Sequence, residues 1–93
     1  MGYRLRFKRE ALAQLDRLYG YILDRDLAAA RKILAETHAI FRHLKKFPRL
    51  GHSTDEPSVR CFIVARTGLL IFYTLEEKVI IIIRILHERQ NRT

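Results

Sequence analysis

Three β-like runs crowd into the last third of the chain, and the gaps between them are too short for anything but hairpins. Val59–Ala65, Leu69–Leu75 and Val79–Leu86 are rich in branched and aromatic residues. Arg66-Thr67-Gly68 and Glu76-Glu77-Lys78 separate them. Such short links join antiparallel neighbours, because a parallel crossover needs a dozen residues or more. A meander is therefore expected. Val79-Ile-Ile-Ile-Ile is apolar at successive positions, which places this strand at the centre of the sheet, covered on both faces. If its alternation is unbroken, Arg84 shares a side with Ile80, Ile82 and Leu86, opposite Ile81, Ile83 and Ile85. An unpaired cation beneath an apolar layer is costly, so Arg84 is expected on the side away from the helices.

Upstream the period changes. Tyr3, Leu5 and Phe7 alternate with Arg4, Arg6 and Lys8, the pattern of a strand with one buried face. From Arg9, the residues Ala11, Leu15, Leu18 and Ile22 recur at helical spacing, widened by Leu12, Tyr19 and Leu23. Arg9, Gln14, Asp16 and Arg17 are expected to face outward. Gly20 inside this helix costs up to about 1 kcal/mol relative to Ala; a close neighbour crossing there would rationalise it. Asp24-Arg25-Asp26 reads as a tight link, with Asp26 the cap of a second helix from Leu27 to Lys46. Ala30, Ile33, Leu34, Thr37, Ile40, Phe41 and Leu44 form its apolar face, and Pro48 lies just past its end. The short link implies an antiparallel helical hairpin. Residues 48–58 form the long loop.

The order is β-α-α-β-β-β, an α+β fold of two layers with the hairpin on one face of an antiparallel sheet. Counting each helix as a reversal makes the last strand antiparallel to the first, with spatial order 1-4-3-2. Ninety-three residues suit one domain spanning 1–93. The longest apolar runs are far below a membrane span of about 20 residues. The N-terminus has no signal-peptide stretch, and a lone cysteine, Cys61, makes no intrachain disulfide, so the reducing cytoplasm is the expected home. The net charge is +8, with +6 in residues 1–46 and +2 in residues 47–93. Such a surface attracts an acidic protein segment or, directly, nucleic acid. Metal chemistry is not expected: His38 and His43 fall about 140° apart around a helix, and there is no Cys pair. No phosphate loop or cofactor motif is present.

Several segments, in this order and spacing, resemble the RelE/ParE superfamily of toxins from bacterial toxin–antitoxin modules. They are Tyr3-Arg-Leu-Arg-Phe, Ala11-Leu-Ala-Gln-Leu-Asp16, Tyr21-Ile22, Leu44-Lys-Lys-Phe-Pro-Arg-Leu-Gly51, Val59-Arg60, Leu70-Ile-Phe-Tyr73 and Ile83-Arg-Ile-Leu-His87. The resemblance covers nearly the whole chain. Its end, Arg84-Ile-Leu-His-Glu-Arg-Gln-Asn91, is most similar to the ParE branch. That branch implies inhibition of DNA gyrase by protein–protein contact, and neutralisation by a ParD-like antitoxin in a heterotetramer or larger assembly. It also implies a role in plasmid or chromosomal stabilisation. The alternative is a RelE-like endoribonuclease that cleaves messenger RNA on the ribosome.

The residues expected to meet the target are Arg60, Arg66, Arg84, His87, Arg89, Gln90, Asn91 and Arg92, donors grouped around the end of a rigid strand. The antitoxin is expected on Arg9, Leu12, Leu15 and Tyr19. If the chain were a nuclease, His87 would move the proton while Arg84 and Arg66 held phosphate. Ribonuclease relatives often carry an Arg shortly before the third-strand Tyr; here Leu69-Leu-Ile-Phe72 precede Tyr73. The expectation is therefore a protein without catalysis of its own.

Overall fold

A computed structural model describes residues 2–88 of the chain. The elements are β1 (Arg4–Phe7), α1 (Arg9–Leu23), α2 (Leu27–Lys46), β2 (His52–Ser53), β3 (Val59–Val64), β4 (Leu69–Glu76) and β5 (Val79–His87). The five strands form one sheet in the order β1-β5-β4-β3-β2. This is the expected order with a two-residue edge strand added.

Local chemistry sets most boundaries. The Asp26 side chain accepts a hydrogen bond from the Ala29 N–H at 3.0 Å, satisfying one orphan donor at the start of α2. His43, Lys45 and Lys46 occupy the last turn of α2, where cations meet the negative end of the dipole. Thr37 is buried within α2 and donates its hydroxyl to the Ile33 carbonyl at 2.8 Å. The β4–β5 hairpin turns on Glu77 and Lys78, with Glu77 at φ 53°.

Two expectations about the sheet are corrected. First, β1 pairs with β5 in parallel, Arg4 beside Val79 and Phe7 beside Ile82. Lys8 alone separates β1 from α1, which is too little chain for a reversal. Helix α1 therefore runs on past the end of β1, alongside β5, and only α2 turns back, bringing the Lys45 carbonyl to the Tyr3 N–H. Second, the alternation along β5 is broken. Phe72 pairs with Arg84 but Tyr73 pairs with Ile82, so Ile83 is an extra residue, a β-bulge. Ile80 and Ile82 face the helices, and after the bulge so does Ile85; all three are almost fully buried. Arg84 lies on the open face as expected, but Ile80 and Ile82 do not share it.

The core lies between sheet and hairpin. Leu69, Ile71, Tyr73, Ile80, Ile82 and Ile85 meet Ala11, Phe41 and Leu44, and Leu15, Leu18 and Ile33 close over them. Phe7 packs edge-on against Phe41, with ring centroids 5.1 Å apart. A Cβ on Gly20 would meet nothing within 4 Å, so the glycine answers no close crossing. Among the described residues, no helix is long and apolar enough to cross a membrane.

Candidate functional site

The register of β5 on β4 fixes which side chains can act together at the end of β5. Leu69, Ile71 and Tyr73 belong to the core under the helices, whereas Leu70 and Phe72 lie on the other face. His87 is paired with Leu69 and Arg84 with Phe72. The two expected site residues therefore leave opposite faces of the sheet.

On the open face, the Arg84 guanidinium sits over the Phe72 ring, 4.6 Å from its centroid, and donates to Glu56 Oε1 at 2.8 Å. The pair is partly exposed and stabilises the chain by less than about 1 kcal/mol. Cys61, the β3 partner of Phe72, is buried beside it. Burial pushes its thiol pKa up, and the Arg84 charge offsets part of the rise.

On the helix side, His87 borders two clefts. A groove of about 540 Å³ runs between α1 and the end of β5, past Arg17, Tyr21 and Leu86. A second cleft of about 380 Å³ opens toward α2 and the β3–β4 turn, past Lys32, Glu36 and Arg66. Leu18, Ile22 and His87 line both. Gly68 permits the close turn here. Its φ is +76°, and a Cβ would stand 3.1 Å from His87 Nε2. The wall between helix and strand is tied by Gln14, whose Oε1 accepts the Ile85 N–H at 2.8 Å. Strand β1 ends opposite Ile82, so this donor lies beyond its reach and the helix side chain takes its place.

The structure thus sorts the expected residues. Arg66 and His87 share a cleft. Arg84 is on the far face. Arg60 donates to the Gly51 carbonyl at 3.0 Å and the Arg49 carbonyl at 3.1 Å, holding the loop after α2. Arg89, Gln90, Asn91 and Arg92 lie outside the described residues. Of the expected antitoxin contacts, Arg9 and Leu12 are exposed, Tyr19 is half-buried and Leu15 packs on the core. Sequence reasoning missed Gln14 and Glu56. Gln14 could have been found, since it stands three residues after Ala11 and four before Leu18, on the buried stripe. Glu56 reaches Arg84 across 28 residues and left no local signal. Among the described residues, no three His, Cys, Asp or Glu side chains gather as a metal site would need.

A family model described as the ParE toxin of the type II toxin–antitoxin system parDE matches residues 5–92. Among solved structures, the chain is similar to one from a chromosomal ParDE toxin–antitoxin system of P. aeruginosa. The match has 23% identity and a TM-score of 0.81, covering 91% of this chain and 95% of that one. It is also similar to a chain of the RelBE2 toxin–antitoxin complex of Mycobacterium tuberculosis. There the identity is 20% and the TM-score 0.68, with 94% of this chain and 99% of that one covered. At these identities the likeness is one of fold. No curated protein matches the chain in sequence.

Proposed function

The chain belongs to the ParE toxin family of type II toxin–antitoxin systems, and from that premise we propose that it inhibits DNA gyrase by protein–protein contact and is neutralised by a ParD-like antitoxin. The family match over residues 5–92 carries the reading. The geometry at the end of β5 supports it. A ribonuclease on this strand would need a proton-transfer group and a phosphate-holding cation converging on one bond. His87 and Arg84 diverge instead, and Glu56 engages Arg84. The helix-side clefts have an apolar floor, Leu18 and Ile22, and polar rims at Arg17, Arg66 and His87, the anatomy of a protein-docking surface.

Contact with the target is assigned to Arg66 and His87, with Arg89, Gln90, Asn91 and Arg92 next in the chain. The antitoxin docks a disordered, acidic segment on the outer side of the hairpin, where Arg9, Leu12 and Tyr19 are joined by exposed Leu23 and Leu27. The complex is a cytoplasmic heterotetramer or larger. The test is to induce the chain in cells and assay purified protein on gyrase. Double-strand breaks, a DNA-damage response and blocked supercoiling are expected, and Arg66→Ala/His87→Ala should relieve them without unfolding the chain. Messages cut on translating ribosomes, with supercoiling untouched, would refute the proposal.

A further inference from the structure

Charge in this chain is segregated. From Thr37 to Thr54 the sequence holds no Asp or Glu, yet it holds Arg42, Lys45, Lys46 and Arg49. Residues 1–9 likewise hold Arg4, Arg6, Lys8 and Arg9 and no carboxylate. The fold joins the two stretches. The end of α2 runs back along β1, with Phe41 against Phe7 and the Lys45 carbonyl accepting the Tyr3 N–H at 3.3 Å. All eight of these basic residues are exposed. Among the described residues the ion pairs are Arg66 with Glu36 and Arg84 with Glu56, so none of the eight is in one. Glu10, just past Arg9, and Glu76 and Glu77, in the hairpin beside Arg4's neighbour Val79, bound the patch.

Two apolar side chains stand in the middle of these cations. Phe47 is 60% exposed and Leu50 45%. The turn closed by the Leu50 N–H on the Phe47 carbonyl at 3.0 Å presents them together. A single exposed apolar residue needs no explanation. An aromatic and a leucine side by side, flanked by Lys45, Lys46 and Arg49, fit a ligand that offers both negative charge and flat apolar faces. Nucleic acid offers both. Arg42, Lys45 and Lys46 recur at i, i+3 and i+4 on α2, over about 6 Å at the helical rise, and Arg49 follows in the turn past its end. A duplex carries a charge every ~1.7 Å of its axis, so a row of that length meets several phosphates.

We propose that the exit of α2, with the adjoining edge of β1, binds the phosphodiester backbone of nucleic acid without reading sequence, while Phe47 stacks on or wedges against a base step. This surface lies at the other end of β5 from His87, and the inference is independent of the toxin's target.

The test measures anisotropy of the purified full chain with four probes at 50–300 mM salt, a range chosen on the order of the usual salt titration. The probes are a mixed-sequence duplex DNA, a single-stranded RNA, a polyglutamate peptide and anionic lipid vesicles. Duplex binding should weaken with salt at about 0.9 in log–log slope per phosphate contacted, and single-strand binding at about 0.7; whichever arm is tighter identifies the natural source of the backbone. Lys45→Gln/Lys46→Gln should reduce the slope by about 2. The equal charge loss Arg25→Gln/Arg31→Gln should leave the slope unchanged. Phe47→Ala should weaken binding several-fold at unchanged slope. All these residues are exposed, so the variants keep the fold. Equal losses in the two double variants, tighter binding to polyglutamate, or binding to vesicles alone would each overturn the proposal.

Discussion

Removing one oxygen, in Tyr73→Phe, should destabilise the protein more than any exposed substitution. Tyr73 is fully buried. Its hydroxyl donates to the Pro48 carbonyl at 2.8 Å and accepts the buried Gly51 N–H at 2.8 Å. Its cross-strand neighbour Arg60 binds the carbonyls of Gly51 and Arg49, so one pair of facing residues holds the whole exit of α2. A Cβ on Gly51 would lie 2.8 Å from the Tyr73 oxygen and 2.9 Å from the Cys61 backbone, so the turn has no room to shift toward the sheet. Phenylalanine keeps the ring packing and strands the Gly51 N–H. A buried donor without a partner costs about 1–3 kcal/mol. The middle of that range, about 2 kcal/mol, corresponds to a fall in Tm of roughly 8–16 °C for a domain of this size. Urea denaturation should show a lower midpoint at unchanged m. Tyr21→Phe, at an exposed position, is the control and should change stability by less than about 0.5 kcal/mol. A Tyr73→Phe loss no larger than the control's would refute the reasoning.

Three further outcomes are expected. Gly20→Ala should stabilise the chain by about 0.5–1 kcal/mol, since its Cβ meets open space; a lower thermal midpoint would contradict this. Gly68→Ala should cost about 1 kcal/mol or more, because φ is +76° and the new methyl crowds His87 and Glu88; chemical denaturation measures it. The raised pKa of Cys61 makes the folded chain hold its thiol proton more tightly than the unfolded chain does. That contribution is fully present below the unfolded value of about 8.5 and is lost as pH rises through the higher folded value. The urea midpoint should therefore fall more steeply above that pH in the natural chain than in Cys61→Val, and parallel pH profiles would refute it.

What could be read from the sequence was what local chemistry determines. Asp26, Pro48 and the cations of the last turn mark the limits of α2, and they stand where expected. The strand order followed from short hairpins and from the doubly apolar β5. The direction of β1 was not legible by counting helices as reversals, because the single linking residue Lys8 fixes the angle at which α1 departs. The bulge was hidden for a different reason. Ile80 to Ile83 are identical, so no residue signals a change of parity between them. The site was misjudged for a simpler reason: Arg66 and His87 share a cleft, whereas Arg84, three residues before His87 and also past the bulge, leaves the opposite face by plain alternation.

That one inserted isoleucine also separates two kinds of chemistry. Without it, strict alternation would still keep Arg84 and His87 apart, but Ile85 would leave the core and the cation would share a face with Ile80 and Ile82, under the helices. With it, β5 buries Ile80, Ile82 and Ile85 and still releases Arg84 to the open face. The strand's end stays paired with β4 as far as His87 beside Leu69, while on its other edge β1 has already ended opposite Ile82. The Ile85 N–H turns to Gln14 instead of a strand, and the clefts beside His87 open along the seam between helix and sheet. That seam, with Leu18 and Ile22 along it and Arg17, Arg66 and His87 around them, is the surface on which the proposed contact with a protein target rests.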